Sequence, residues 1–153
     1  MALGYNFRMS SITAALGIAQ MKKIEKIIKM RNEVAAYYGE KLSNIGDLVP
    51  IHVPDGAKHV YQLFTVRVRG GKTKRDRLIA HLAENGVASK VYFEPVHLTK
   101  FYREKFGYRG GELPVTEAIS SEVLSLPIHP TLSKKEIDLI VERIGDFFRG
   151  DRN

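Results

Sequence analysis

The feature that most constrains the fold is a long helical periodicity near the start of the chain. Between Ser10 and about Leu42, apolar residues recur at steps of three and four, the spacing of one face of an α-helix. Ser10 or Ser11 is suited to cap its start. The first turns, SSITAALGIAQM, are uncharged and rich in small residues, whereas the remainder is amphipathic and charged. We therefore predict a break at residues 20–23 and a first part that is buried against another surface.

After this helix the chain changes to a mixture of strand and helix patterns. Residues 60–69 alternate apolar and polar side chains and predict a strand. Residues 73–85 predict a helix that Thr73 caps and Gly86 ends. Residues 87–93 predict a second strand, and residues 100–111 are basic and aromatic without a clear period.

The last forty residues predict two more helices around a brief strand. Residues 114–123 predict a short helix, and the apolar stretch SLPIHP that follows predicts a brief strand ending at Pro127 to Pro130. Ser133 and Glu136 have the spacing of a capping box, and the apolar residues after them predict a terminal helix through Phe148. This order of elements predicts an α+β fold, a small sheet covered by helices.

Proline and glycine separate the helical beginning from the rest. Residues 43–58 contain two of each and predict a linker or extended segment rather than regular structure. We therefore divide the chain into a helical segment (1–42), a linker (43–58) and a small α+β domain (59–153).

Charge and hydropathy exclude several classes of protein. The 153 residues include 24 Lys and Arg against 17 Asp and Glu, a net charge of +7, so an acidic ligand such as phosphate is worth considering. The basic residues form no single stripe, so we predict no nucleic-acid binding, although a basic DNA-binding regulatory domain is a weak alternative. No run of 18 apolar residues and no signal-peptide pattern is present, which predicts a cytoplasmic protein without a membrane span.

Side chains with obvious catalytic chemistry are scarce. The chain has no cysteine, which excludes thiolate nucleophiles and cysteine-ligated metals, and no serine lies in a nucleophile motif. The five histidines show no metal-ligand spacing. We predict neither a catalytic residue nor a metal site.

Two segments nevertheless carry polar and aromatic residues that favour binding. In LGYNFRM, Asn6 and Arg8 precede a helix start, where free N–H groups favour an anion such as phosphate. In YFEPVHL, Tyr92, Phe93 and His97 follow a predicted strand, a place where side chains project into clefts. The alternatives are a capping Asn with a surface Arg in the first segment, and a hinge or packing role for the second.

These two segments, together with LPVTEAISSEVLSLPIHP, resemble the C-terminal part of the DegT/DnrJ/StrS family of pyridoxal-phosphate-dependent sugar aminotransferases. The resemblance implies the small C-terminal domain of fold-type I aminotransferases. It also implies that Asn6 reaches the cofactor phosphate of a neighbouring subunit, that Arg8 lies at the same shared site, and that Tyr92, Phe93 and His97 lie near the nucleotide sugar. The family often has His-Tyr in place of Tyr92-Phe93.

The same resemblance places the cofactor-binding lysine, the aspartate that faces the pyridine nitrogen and the stacking aromatic in a large domain whose motifs do not occur here. It therefore implies a chain that is inactive alone and partners a second copy or a large-domain half. The complete enzyme would use pyridoxal phosphate to transfer an amino group, from glutamate, to a nucleotide-linked keto-sugar. The alternative is a non-enzymatic interaction or regulatory module that keeps the small-domain fold.

Overall fold

The computed structural model describes residues 7–151, and these form six α-helices, a 3₁₀ helix and three strands. The helices are α1 (Ser11–Met21), α2 (Ile24–Leu42), α3 (Gly71–Glu84), the 3₁₀ helix (Val96–Leu98), α4 (Lys100–Phe106), α5 (Pro114–Glu122) and α6 (Lys134–Gly150). The strands are β1 (Leu48–Pro50), β2 (Phe64–Val68) and β3 (Val123–Leu126). The predicted α+β class is confirmed.

The three strands form one antiparallel sheet in the order β1-β2-β3. In the central strand, Phe64, Val66 and Val68 are buried, whereas Arg67 between them is exposed, as the alternation predicts. Leu124 of β3 lies opposite Val66, so apolar side chains of neighbouring strands meet on the same face. The observed strand is shorter than the predicted range 60–69.

Helices α2, α3 and α6 enclose the core on the apolar face of the sheet. Tyr38 of α2 is fully buried and stacks on Phe64 of β2, with ring centroids 4.8 Å apart. Ile144 of α6 and Leu78 of α3 are also fully buried in this core. Because α2 contributes to the same core as the sheet, its second half is part of the small domain's packing. The division at residues 42 and 58 stays a prediction.

The predicted break in the first helix is confirmed. Helix α1 ends at Met21 and α2 begins at Ile24, with a turn between them. Ser10 caps α1 through its Oγ, which accepts a hydrogen bond of 3.2 Å from the backbone N–H of Thr13. No residue of α1 is buried, and its Ile12 is 78% exposed. The sequence predicts that these apolar side chains are buried against another surface. Within residues 7–151, no other element covers them.

Two predicted local features are wrong. Thr73 does not cap α3, because the helix already begins at Gly71, after Gly70 at φ 113°, a conformation that favours glycine. Residues 87–93 do not form a strand, since only Lys90 pairs, with Ser125 of β3. On one side of this pair, the next hydrogen-bonded pair would join Ala88 to Pro127, which has no N–H to donate.

Two elements were not predicted, apart from the short 3₁₀ helix (Val96–Leu98). Residues 48–50, inside the predicted linker, form β1 and pair with β2. Residues 100–106 form α4, which has no buried residue and so shows no apolar period. No helix within residues 7–151 is both long and apolar enough to cross a membrane.

Candidate functional site

The two residues of the predicted anion site precede α1. Arg8 is exposed and lies two residues before Ser10, the N-cap of α1. Asn6 lies outside the described residues. The positive end of the helix dipole of α1 lies close in sequence to the Arg8 guanidinium. The first turn of α1 has no acidic side chain that would neutralise this positive charge. This charge setting fits a phosphate group.

The predicted substrate-side aromatic pair is exposed. The side chains of Tyr92 and Phe93 are 45% and 78% exposed, and their rings meet edge to face with centroids 5.5 Å apart. The peptide bond between them is cis. Tyr92 also lines a pocket of about 260 Å³ with Leu63 and Lys90. Both rings are therefore accessible to a ligand.

His97, the third residue of this group, is only 6% exposed. Its Nε2 atom lies 2.9 Å from Oε1 of Glu117, and its ring contacts that of Tyr108 edge to face at 5.7 Å. Among the residues 7–151, no hydrogen bond, ion pair or ring contact joins Arg8 to Tyr92, Phe93 or His97. Tyr92 and Phe93 therefore contact each other, whereas the contacts of His97 are with Glu117 and Tyr108.

Glu117 binds several groups at once. Besides His97, its carboxylate accepts backbone N–H bonds from Gly111, at 2.8 Å to each oxygen, and from Leu113, at 3.2 Å. The hydrogen bond from His97 and the N–H of Gly111 lower the pKa of Glu117. An ionised carboxylate only accepts hydrogen bonds, so Nε2 of His97 carries the proton.

Glu112 closes the loop that precedes α5. Its carboxylate accepts N–H bonds from Arg109 at 2.7 Å and from Gly110 at 2.8 Å, and the Arg109 N–H lowers the pKa of Glu112. The chain can offer these N–H groups in succession because Gly110 and Gly111 have φ of 100° and 95°. The two carboxylates therefore fix residues 107–113 against α5.

One oxygen or nitrogen from each of His97, Glu112 and Glu117 lies within 4.8 Å of the others, a spacing compatible with a metal ion. Four backbone N–H groups already point positive charge at the two carboxylates. A cation would have to compete with these donors, so the arrangement is better explained as an internal clamp. The sequence-based prediction of no metal site stays a prediction.

A cleft of about 560 Å³ lies beside this clamp, between α3, α4 and α5. Its wall includes Glu94 and Pro95 from the stretch between the aromatic pair and His97, and Glu117 from α5. Lys72 and Arg103 add positive charge. The cleft therefore adjoins the predicted substrate side and has a mixed charge.

Sequence reasoning did not single out Glu112 and Glu117. Glu117 follows the chain turn at Leu113 by four residues, a position from which a carboxylate reaches the free N–H groups at a helix start. The segment LPVTE therefore held a usable signal.

Comparisons with known proteins agree with this fold. The sequence profile of the DegT/DnrJ/EryC1/StrS aminotransferase family matches residues 1–145, and the chain belongs to that family. The family is dependent on pyridoxal phosphate.

Individual relatives are similar over almost the whole chain. The "pleiotropic regulatory protein" of Geobacillus stearothermophilus is 37% identical over 151 residues, covering 96% of this chain and 39% of that protein. The GDP-perosamine synthase of Caulobacter vibrioides is 33% identical over 141 residues, covering 91% of this chain and 37% of the synthase.

A solved structure of a putative sugar aminotransferase has a similar fold over most of this chain. The putative sugar aminotransferase Spr1654 of Streptococcus pneumoniae, in its PMP form, superposes with a TM-score of 0.86 at 26% identity, covering 94% of this chain and 36% of that one. The chain therefore spans less than two fifths of the length of these relatives.

Proposed function

We propose that this chain supplies the small domain and the phosphate-binding arm of an aminotransferase that acts on nucleotide-linked keto-sugars, with glutamate as amino donor, and is inactive alone. The observation that carries the proposal is the family match over residues 1–145, in a fold that exposes the aromatic pair Tyr92–Phe93. The GDP-perosamine synthase among the relatives supports the nucleotide-sugar class.

The residues have separate tasks in this proposal. Asn6 and Arg8 bind the cofactor phosphate, to which an amide donor and a guanidinium are suited in charge and geometry. Tyr92 and Phe93 offer ring surface to the nucleotide sugar. Bound pyridoxal phosphate supplies the electron sink for amino transfer, and the protein's part is to bind and orient it. The lysine that anchors the cofactor lies in another part of the assembly.

The exposed apolar side of α1 supports the proposal that this chain is one part of a larger assembly. Ile12, Leu16 and Ile18 are exposed, and Met9, Ile18 and Met21 line a shallow apolar pocket on this helix. Apolar surface of this kind is stabilised when a partner covers it. The partner in the proposal is a large domain of the family, with a second copy of this chain completing a dimer.

A hybrid enzyme tests the proposal. This chain replaces the matching region of the Caulobacter GDP-perosamine synthase, either fused to the remainder or mixed with it, and amino transfer is measured with that relative's own substrates. We expect cofactor absorbance and turnover from the hybrid and from neither part alone. A folded hybrid with neither would contradict the proposal and favour an interaction module.

Variants at the phosphate arm sharpen the test. Asn6→Ala and Arg8→Ala should each weaken pyridoxal-phosphate binding to the hybrid by about tenfold to a hundredfold, the range of one charge-assisted hydrogen bond. Asn44→Ala and Arg69→Ala are matched exposed controls and should leave it unchanged. Equal effects of the site and control variants would contradict the proposed phosphate-binding roles of Asn6 and Arg8.

A further inference from the structure

The segment 91–96, which carries the aromatic pair, is attached at both ends. At its start, the backbone of Lys90 exchanges two hydrogen bonds with Ser125 of β3, at 3.2 and 2.7 Å. At its end, backbone hydrogen bonds from Leu98 to Pro95 and from Thr99 to Val96 form the 3₁₀ turn, and the side-chain pair His97–Glu117 attaches this turn to α5. The placement of the segment therefore depends on two anchors that differ in kind.

The first anchor is independent of side chains, since it joins two backbones. The second depends on a single carboxylate. Glu117 also holds the N–H groups of Gly111 and Leu113, so it connects the 3₁₀ helix, the 107–113 loop and α5. Because His97 is buried and its Nε2–H is committed to Glu117, this imidazole is a fixed end point for the segment.

Between the anchors, most side chains are exposed, and Val91 and Pro95 are partly buried. Tyr92, Phe93 and Val96 are all exposed, so the segment has few packing contacts of its own to fix it. A loop released at one end gains conformational freedom that a ligand must remove when it binds.

We propose that Glu117 is a positioning residue, which holds the Tyr92–Phe93 pair in its binding arrangement through His97. The inference rests on the proposed function in one respect, that this pair contacts the nucleotide sugar. The competing explanation is that Glu117 only stabilises the start of α5. That explanation predicts a loss of overall stability without a selective change in the segment.

Backbone NMR relaxation on the full 153-residue chain separates the two explanations. Glu117→Gln keeps the shape but replaces the charge and one acceptor oxygen with an N–H₂ donor that faces the Gly111 N–H. We expect the amide order parameters of Tyr92 and Phe93 to fall from about 0.85 towards about 0.6 in this variant, while that of Ile144 in α6 stays at the rigid value. Glu104→Gln, on exposed α4, is the matched control and should change none of them.

Two substitutions at His97 keep the test decisive if Glu117→Gln fails to fold. In His97→Gln the side-chain amide retains a donor near the position of Nε2, and we expect order parameters within error of the parent. In His97→Leu the donor is lost, and we expect the same loosening of Tyr92 and Phe93 as in Glu117→Gln. Equal behaviour of the two variants, or a rigid pair in Glu117→Gln, overturns the positioning role.

The hybrid enzyme adds a functional measurement. Glu117→Gln should raise the KM for the nucleotide sugar about tenfold with kcat changed less than twofold. The reason is that the variant disorders the binding segment and leaves the reacting groups unchanged. An unchanged KM with a loosened segment overturns the link to binding. An inactive parent hybrid contradicts the proposed function alone, since the relaxation measurement needs neither cofactor nor substrate.

Discussion

The guanidinium of Arg75, on α3, donates a hydrogen bond of 2.8 Å from Nη1 to the backbone oxygen of Val123, the C-cap of α5 and first residue of β3. The same nitrogen donates to the oxygen of Ser120 at 3.2 Å. A buried cation thus satisfies carbonyl groups at the negative end of the helix dipole. This contact holds the C-terminal end of α5 against α3.

Arg75→Ala should lower the free energy of unfolding by about 2–4 kcal/mol, since it removes charge-assisted hydrogen bonds to two carbonyl oxygens inside the protein. Urea unfolding followed by circular dichroism measures the change. The exposed Arg69→Ala is the control, with an expected effect within about 0.5 kcal/mol. Equal effects of the two substitutions would show that the buried contact contributes no stability.

Tyr38→Phe tests the polar contact in the centre of the core. The Tyr38 hydroxyl donates to the backbone oxygen of Pro127 at 3.1 Å, and its loss should cost about 1 kcal/mol at neutral pH. Tyr102→Phe, on the surface of α4, should cost nothing measurable. Equal urea midpoints for the parent chain and Tyr38→Phe would show that this hydrogen bond contributes no stability.

The same tyrosine should make the fold sensitive to alkali. Burial, and to a lesser extent the charge of Glu136, raise the pKa of the Tyr38 phenol in the folded state. Above pH of about 10 the unfolded chain loses this proton while the folded chain keeps it, so the free energy of unfolding falls as pH rises. Between about pH 9 and pH 11, the free energy of unfolding should therefore fall more for the parent chain than for Tyr38→Phe. Parallel curves would contradict this.

Ser133→Ala removes half of the capping box of α6. The Ser133 hydroxyl accepts from the N–H of Glu136, whose carboxylate in turn accepts from the Ser133 N–H at 2.8 Å. We expect a loss of about 1 kcal/mol in urea unfolding, against none for the exposed Ser11→Ala. A loss as small as that of the control would mean that tertiary packing alone holds the helix start.

The capping box also predicts an acid dependence. The hydroxyl and N–H of Ser133 lower the pKa of Glu136 in the folded state. The stability this adds is present above the unfolded pKa of about 4.3 and is lost as pH falls through the folded pKa. The difference in free energy of unfolding between the parent and Ser133→Ala should therefore shrink below pH of about 4. A difference that is constant from neutral to acid pH would contradict the pKa direction.

The exposed apolar side of α1 should drive self-association when no large domain is present. Leu16→Lys should weaken a dimer measured by sedimentation at least about tenfold, the order expected when a buried leucine is replaced. Leu139→Lys, at an exposed leucine of α6, is the matched control and should leave association unchanged. A chain that is monomeric at high concentration would contradict the interface.

Local signals in the sequence located most of the helix boundaries. Ser133 with Glu136, and Gly86 after α3, act within four residues of the boundary they set, so the pattern alone identifies them. Strand β1 has no such local signal. Leu48 is placed by its partner Val68 across the sheet, and a pairing of that kind is set by the tertiary fold.

The candidate site divides in the same way. Tyr92, Phe93 and His97 are singled out by one segment of sequence, and of these the structure joins the rings of Tyr92 and Phe93. Glu117 is separated from His97 by 20 residues, and only the folding of the 107–113 loop brings the two into contact. The role of His97 as an anchored end point therefore requires the structure.

In the proposed assembly, this chain completes a cofactor site whose anchoring lysine lies on the large-domain part. The most direct measurement is to add pyridoxal phosphate to the hybrid assembled from separate parts, reduce it with borohydride and locate the adduct by mass spectrometry. We expect one stoichiometric adduct on the relative's part, formed only when this chain is present and diminished by Arg8→Ala. A stoichiometric adduct on one lysine of this chain, such as Lys22, Lys72 or Lys90, would contradict it.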